Sequence, residues 1–186
     1  MLTFDSEKHE YKWTSSIVPS VTQVLKSAGI IDHKFSAAGA AEKGTDAHQA
    51  IEFWNQGDLD EDSLAEDLRG YVEAWKKFVR DYKLRQVQTE QRVYQPLHRY
   101  AGTIDCLCNI SEYRNIERKY LIDIKTGSFL RWHSLQLAAY RKCIEEPVEC
   151  LAVYLKSDGT YQAPKVDMTN AWATFQSALN IYNWKQ

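Results

Sequence analysis

The chain has 186 residues, 44% of them hydrophobic, and a formal net charge of −2 at neutral pH. It is long enough to bury a sizeable core in one domain and too apolar for a disordered chain. No apolar run approaches the ~20 residues that a membrane-spanning helix needs. The N-terminus has no basic segment leading into an apolar one, so no signal peptide is indicated. We therefore expect a cytoplasmic protein with no membrane partner.

The four cysteines do not follow a metal-binding or disulfide pattern. Cys106, Cys108, Cys143 and Cys150 lack CxxC spacing. We expect reduced, mostly buried thiols, with a metal site built from two or three of them as the alternative.

The N-terminal part of the sequence predicts a hairpin followed by helices. Residues 2–14 alternate apolar and polar around a polar turn. Ser20, with Gln23 three residues on, is a capping box that starts a helix, which Gly29 ends. A second helix should run from about residue 36 to 54. A third, over about 64–82, has apolar residues at spacings of three and four.

The rest of the chain predicts a sheet with further helices. Three strands are expected at 87–94, 100–109 and 119–125, a helix at about 132–144, strands at 150–155 and near 160–165, and a last helix at about 169–182. This order is typical of an α/β (α+β) fold with a central mixed sheet flanked by helices.

Two of the predicted strands carry carboxylates among apolar residues. Asp105 lies in the middle of one strand, and Asp123 with Lys125 lies in the next. A buried carboxylate costs several kcal/mol unless it is paired or binds a metal. Alternation along a strand puts Asp123 and Lys125 on one face, and a hairpin between the strands would bring Asp105 alongside Asp123. This set predicts a site for a divalent cation and the water it activates; a structural Asp123–Lys125 ion pair is the alternative.

The order of the motifs around these residues is similar to that of a known superfamily. GTID at 102–105, IDIKTG at 122–127 and QLAAY at 136–140 resemble the PD-(D/E)xK nucleases, more narrowly the RecB and lambda-exonuclease-like branch. Upstream, Gly44 and His48 fit its Gly-x-x-x-His motif, and Glu90 fits its glutamate before the first aspartate. Ile104 stands where the superfamily name has proline.

The resemblance implies a metal centre in a restriction-endonuclease-like core. His48, Asp105, Asp123 and the backbone carbonyl of Ile124 would hold Mg²⁺ or Mn²⁺. The whole chain, 1–186, would then be one nuclease domain, with an N-terminal hairpin and helices in 1–85 and the catalytic core in 86–186. No iron–sulfur cluster is expected, because the cysteine spacing that some relatives use for one is missing.

The remaining matched residues would act around that metal. Lys125 would orient the attacking water or take its proton, and Glu90 would bind a second metal directly or through water. Gln136 and Tyr140, four apart on one helix face, would hold Lys125, a water or a substrate phosphate. The structural alternatives are a solvated strand face for Glu90, packing for Gln136 and Tyr140, and a structural histidine at position 48.

The loop after the second acidic strand contains candidate DNA contacts. The candidates are Phe129, Arg131, Trp132 and His133. They could stack on bases and contact phosphate, or Trp132 could fill the core instead.

Together these features predict a divalent-metal-dependent DNA exonuclease. The expected partners are single-stranded or duplex DNA ends and a single-strand annealing protein that acts in the same process. The setting would be DNA processing or recombination in a bacterium or a phage-infected host cell. A structure-selective or restriction-like endonuclease, or a non-catalytic DNA-binding or assembly module of the same fold, are the alternatives.

Overall fold

A computed structural model describes residues 1–31, 40–111 and 116–186, without the side chains of 40–42. The chain starts with a small antiparallel sheet of β1 (Leu2–Asp5), β2 (Glu10–Trp13) and β3 (Ser16–Val18). The predicted hairpin is confirmed by the pairing of β1 with β2. The third strand was not predicted, because three residues are too few to establish an alternating pattern.

The described residues form five helices: α1 (Val21–Ser27), α2 (Ala40–Gln56), α3 (Glu66–Tyr82), α4 (His133–Arg141) and α5 (Ala171–Trp184). The capping box at the start of α1 is confirmed, since Gln23 N–H donates to Ser20 Oγ and Ser20 N–H donates to Gln23 Oε1. The predicted beginning of the second helix, 36–39, lies outside the described residues. Helix α4 ends before the predicted residue 144 because the N–H groups of Cys143 and Ile144 bond three residues back.

The main sheet is mixed and has the strand order β4 (Arg85–Gln95), β5 (Tyr100–Ser111), β6 (Glu117–Lys125), β7 (Glu149–Leu155) and β8 (Tyr161–Gln162). Strands β6 and β7 are parallel, and the other pairs are antiparallel. The predicted hairpin of β5 and β6 is confirmed, while its turn at 112–115 lies outside the described residues. Strand β8 is shorter than predicted, and Pro164, just beyond it, has no N–H to extend the ladder.

Helices cover both faces of this sheet, which confirms the predicted fold class. On one face, α1, α4 and α5 form a cluster with sheet residues such as Tyr100 and Leu121. On the other face, α2 and α3 pack on Ile122, Ile124 and Val153. Because α1 and β5 share one cluster, the N-terminal part contributes to the same core as the rest of the chain.

Packing against α3 fixes the position of α2. Trp75 of α3 is fully buried, and its Nε1–H donates to Asn55 Oδ1 at 3.0 Å. Ile51 of α2 is buried in the same cluster. At the other end of α2, a Cβ on Gly44 would lie only 3.4 Å from Thr126 Oγ1, so the helix passes close to the end of β6.

None of the helices in the described ranges combines the length and apolarity that crossing a bilayer requires.

The four cysteines are free, with Cys106 and Cys108 buried and Cys143 and Cys150 half-buried, as predicted.

Gly70, within α3, allows a stability test. Helix propensity and packing predict opposite changes in the free energy of unfolding when it is replaced by alanine. Gly70→Ala should stabilise an exposed helix by about 1 kcal/mol. Here the new Cβ would lie 1.8 Å from the backbone oxygen of Ser157, which cannot move without shifting the β7–β8 turn. We expect Gly70→Ala to lower the free energy of unfolding by about 1–3 kcal/mol in urea denaturation. Gly127→Ala is the control, since its Cβ would meet no described atom within 4 Å; equal stability of both variants would contradict the close contact.

Candidate metal centre

Asp123 is buried in the centre of the sheet with only one of its oxygens paired. Its Oδ1 accepts a hydrogen bond from Lys125 Nζ at 2.7 Å, so the two side chains share a strand face as predicted. The described residues offer its buried Oδ2 no hydrogen-bond partner. Burial raises the pKa of Asp123 above its usual range, and Lys125 opposes part of that rise. An unpaired carboxylate oxygen inside a protein is costly, which is the condition that a bound cation relieves.

Asp105 lies where the strands β5 and β6 stop pairing regularly. Their register runs from Ser111 opposite Glu117 to Cys106 opposite Ile122. At the next position a side chain replaces the backbone as hydrogen-bond acceptor: Asp105 Oδ2 accepts the backbone N–H of Ile124 at 2.6 Å. The carboxylate of Asp105 is thereby fixed beside β6, close to Asp123.

Three side chains from three elements converge at Asp105. Ligand atoms of His48 on α2, Glu90 on β4 and Asp105 all lie within 4.8 Å of one another. His48 Nδ1 is 3.7 Å from Asp105 Oδ1. One imidazole nitrogen and two carboxylates are a donor set that suits Mn²⁺ and also admits Mg²⁺.

Glu90 is held in an unfavourable backbone conformation and environment. It lies between Thr89, which is opposite Cys106, and Gln91, which is opposite Ile104, so it faces Asp105 across the strand pair. Its φ is +50°, in the left-handed region that non-glycine residues rarely adopt. Burial, followed by the charges of Asp105 and Glu52, raises the pKa of Glu90 to about 7. A nearby cation would stabilise its ionised form.

The grouping differs in one respect from the predicted ligand set. The predicted set was His48, Asp105, Asp123 and the Ile124 carbonyl, with Glu90 beside it. The structure groups Glu90 with His48 and Asp105, while Asp123 is on the adjacent strand and ion-paired with Lys125. The unpaired Oδ2 of Asp123 is the atom through which this residue can still join a cation.

Gln136 and Tyr140 approach from the other face of the sheet, on α4. Gln136 Nε2 donates to the Tyr140 hydroxyl at 3.1 Å, and within the described ranges no donor reaches the buried Gln136 Oε1. Burial raises the pKa of Tyr140, and Asp105 and Asp123 add to the rise, which places the phenol near both carboxylates. The Tyr140 ring packs on Gly102, where a Cβ would lie 2.5 Å from Cε1. Thus Gly102 of the GTID motif makes room for this ring.

The N-terminal sheet contributes residues near the site that the sequence analysis did not include. The Tyr11 hydroxyl on β2 lies 2.7 Å from Thr103 Oγ1 on β5. Burial raises the pKa of Tyr11, and Glu90 and Asp105 act in the same direction, so the phenol is close to the acidic cluster. Its alternating position in β2 indicated only a buried residue; the packing of that strand on β5 is not visible in a local pattern.

Three of the predicted DNA contacts have different environments. Arg131 is exposed, and Trp132 is half-buried against the core with Lys125 Nζ 6.0 Å from its ring centroid. The prediction that His133 contacts DNA is wrong. Its side chain is buried, with Nδ1 2.8 Å from the Tyr154 hydroxyl, so it is not placed to contact DNA. The N–H of Leu130 also points to this nitrogen, at 3.4 Å.

No protein-family model matches the chain, and no curated protein matches it. The function proposed below therefore rests on the residues and geometry of this chain.

His133 gives a pH test of this arrangement. Burial, helped by Lys125, lowers its pKa to about 3, so the folded protein keeps the ring neutral. The unfolded chain binds a proton near pH 6.5, so this contribution to stability is complete above that pH and is lost as the pH falls toward 3. Between pH 7 and 5 the free energy of unfolding should fall by about 2 kcal/mol more in the wild type than in His133→Gln. Urea denaturation at both pH values measures this, and parallel losses in the two proteins would contradict a neutral buried His133.

Proposed function

We propose that this protein is a divalent-metal-dependent DNA nuclease, acting on DNA ends. The proposal rests on the convergence of His48, Glu90 and Asp105 next to Asp123. One oxygen of Asp123 is paired with Lys125, and the other has no hydrogen bond among the described residues. Its residues are those of the motifs that resemble the PD-(D/E)xK superfamily, and a restriction-endonuclease-like core is part of the proposal.

The residues present fit a divalent cation. His48, Glu90 and Asp105 would hold it, with the free oxygen of Asp123 and, by the resemblance, the Ile124 carbonyl as further ligands. When bound, the cation would activate a water and neutralise charge on the phosphate.

The protein's own contribution is the placement of charge around the scissile phosphate. Lys125 is held by Asp123 with 17% of its side chain exposed, so its ammonium can donate to an attacking water or to a phosphate oxygen. Asp105 is fixed by the Ile124 N–H, which spares the site the cost of ordering this carboxylate when substrate binds. Tyr140, hydrogen-bonded to Gln136, lies near the carboxylates of Asp105 and Asp123 from helix α4.

Because the site is recessed, cleavage at DNA ends is favoured over cleavage in the middle of a duplex. The Asp105 side chain is 15% exposed, and α2 approaches over it through His48. A strand end can enter such a site directly, whereas an internal duplex phosphate would require the DNA to bend or open at a cost of several kcal/mol. This supports exonuclease action, with the endonuclease as the alternative.

Digestion of labelled DNA tests the proposal. With Mn²⁺, the protein should degrade linear single-stranded or duplex DNA, and EDTA should stop it. Lys125→Met should lower the rate at least about 100-fold, because the ammonium is lost while the aliphatic stem stays. Binding of the same DNA in EDTA should persist. Lys119→Met is the matched control, since Lys119 lies on the same strand but pairs with Glu146 at the surface.

Closed circles separate the two modes of cleavage. Covalently closed single-stranded and relaxed duplex circles should survive an amount of enzyme that consumes their linear forms. Rapid cutting of the circles would replace the exonuclease with the endonuclease. Intact linear DNA under all metal conditions would overturn the nuclease proposal.

A further inference from the structure

A groove of about 630 Å³ lies beside the segment that follows β6. Its wall includes the segment 129–132, which follows the catalytic strand, together with residues at the start of α5. Trp132 belongs both to this wall and to the surroundings of Lys125, whose Nζ is 6.0 Å from its ring. Trp132 therefore links the groove to Lys125 of the proposed active site.

Apolar side chains are unusually exposed along this groove. Phe129 is 54% and Leu130 is 49% exposed, next to each other in the segment after Lys125. The Phe129 ring packs against His133 and Tyr154 at centroid distances of 6.3 and 6.0 Å, which leaves the rest of its surface toward solvent. Aromatic side chains that are supported on one side and open on the other are typical stacking platforms for bases.

The segment that carries these side chains is anchored. His133 Nδ1 forms a hydrogen bond with the Tyr154 hydroxyl at 2.8 Å, and the N–H of Leu130 points to the same nitrogen at 3.4 Å. Ser134 Oγ donates to the carbonyl of Arg131 at 2.9 Å. The buried His133 thus acts as a positioning residue for Phe129 and Leu130, in place of the direct DNA contact that the sequence predicted.

Charge and hydrogen-bonding groups orient an occupant within the groove. Arg131 supplies a positive charge, whereas Asp167 places a carboxylate on the wall near α5. Because the charge of Arg131 helps to lower the pKa of Asp167, these two groups partly offset each other. A phosphate is therefore favoured mainly at Lys125, beyond Trp132, which leaves the apolar part of the groove for a base. Asn170, at the start of α5, has a side chain that makes no capping bond to that helix among the described residues, and its amide can bond to a base edge.

We propose that this groove binds one unpaired base of the DNA strand whose phosphate lies at the metal centre. The inference rests on the proposed nuclease function and names its substrate class: strands that are single, or frayed, at the point of cleavage. The volume lies within the range of about 300–1,000 Å³ that holds small molecules, so it suits one nucleotide. Single-stranded oligonucleotides should bind more tightly than blunt duplexes of the same length.

Binding in EDTA tests the groove separately from cleavage. The probes are single-stranded oligonucleotides with 2-aminopurine at one end or the other, whose fluorescence is quenched on stacking. The wild type should quench one of them. Phe129→Ala should abolish the quenching and weaken binding about five- to 150-fold, the range found when a base loses its aromatic partner. With Mn²⁺, KM should rise by a similar factor while kcat stays within about twofold.

Two further variants make the outcome specific. Phe129→Trp should restore quenching and affinity, which a loss of folding would not allow. Leu130→Ala should also weaken binding. Leu97→Ala is its matched control, because Leu97 is 82% exposed and does not line the groove; it should behave as wild type.

The measurements distinguish failure of the groove proposal from failure of the nuclease proposal. If the wild type cleaves DNA but Phe129→Ala and Leu130→Ala bind and quench as it does, the groove proposal is wrong and the nuclease stands. If the wild type cleaves no DNA with Mn²⁺, the proposed function fails, and the assignment of the groove fails with it.

Discussion

The arrangement of the site depends on one carboxylate that the fold buries without fully pairing it. Asp123 is in the central strand β6, where Lys125 satisfies one oxygen and the described residues leave the other without a hydrogen bond. Removing a charged oxygen from water costs several kcal/mol, so the fold retains an energetic deficit at this point. A divalent cation offsets such a deficit more completely than a single ammonium, since it can also bind Asp105 and Glu90. We therefore propose that the burial of Asp123 serves cation binding rather than stability.

Elements from both faces of the sheet position the other groups around this carboxylate. Helix α2 brings His48 and is held by the bond from Trp75 to Asn55. Helix α4 brings Tyr140, which fits only because residue 102 is glycine. Strand β4 brings Glu90 in a left-handed backbone conformation. Backbone strain and clustered carboxylates both lower stability, and they occur together where β5 and β6 diverge, as expected of a site whose geometry serves a ligand.

Much of this was predictable because the signals are local. The period of two in β5 and β6 located Asp105, Asp123 and Lys125 on their strands, and the hairpin between them determined the neighbourhood. The capping box at Ser20 determined the start of α1. The features that were missed depend on distant packing: Tyr11 reaches Thr103 only because the N-terminal sheet packs on β5. His133 appeared to be a loop residue available for DNA, and its bond to Tyr154 on β7 joins residues 21 positions apart.

Calorimetric titration with Mn²⁺ measures whether the cluster at Asp105 binds one divalent cation. Asp105→Asn should fold, because the amide oxygen can still accept the Ile124 N–H, but it removes a charged ligand and should weaken binding at least about tenfold. Asp60→Asn, which removes a carboxylate from the exposed acidic segment 58–62, should bind as the wild type does. We expect one tight site in the wild type, weakened at least about tenfold in Asp105→Asn and unchanged in Asp60→Asn. Equal Mn²⁺ binding by wild type and Asp105→Asn, or none by the wild type, would contradict this expectation.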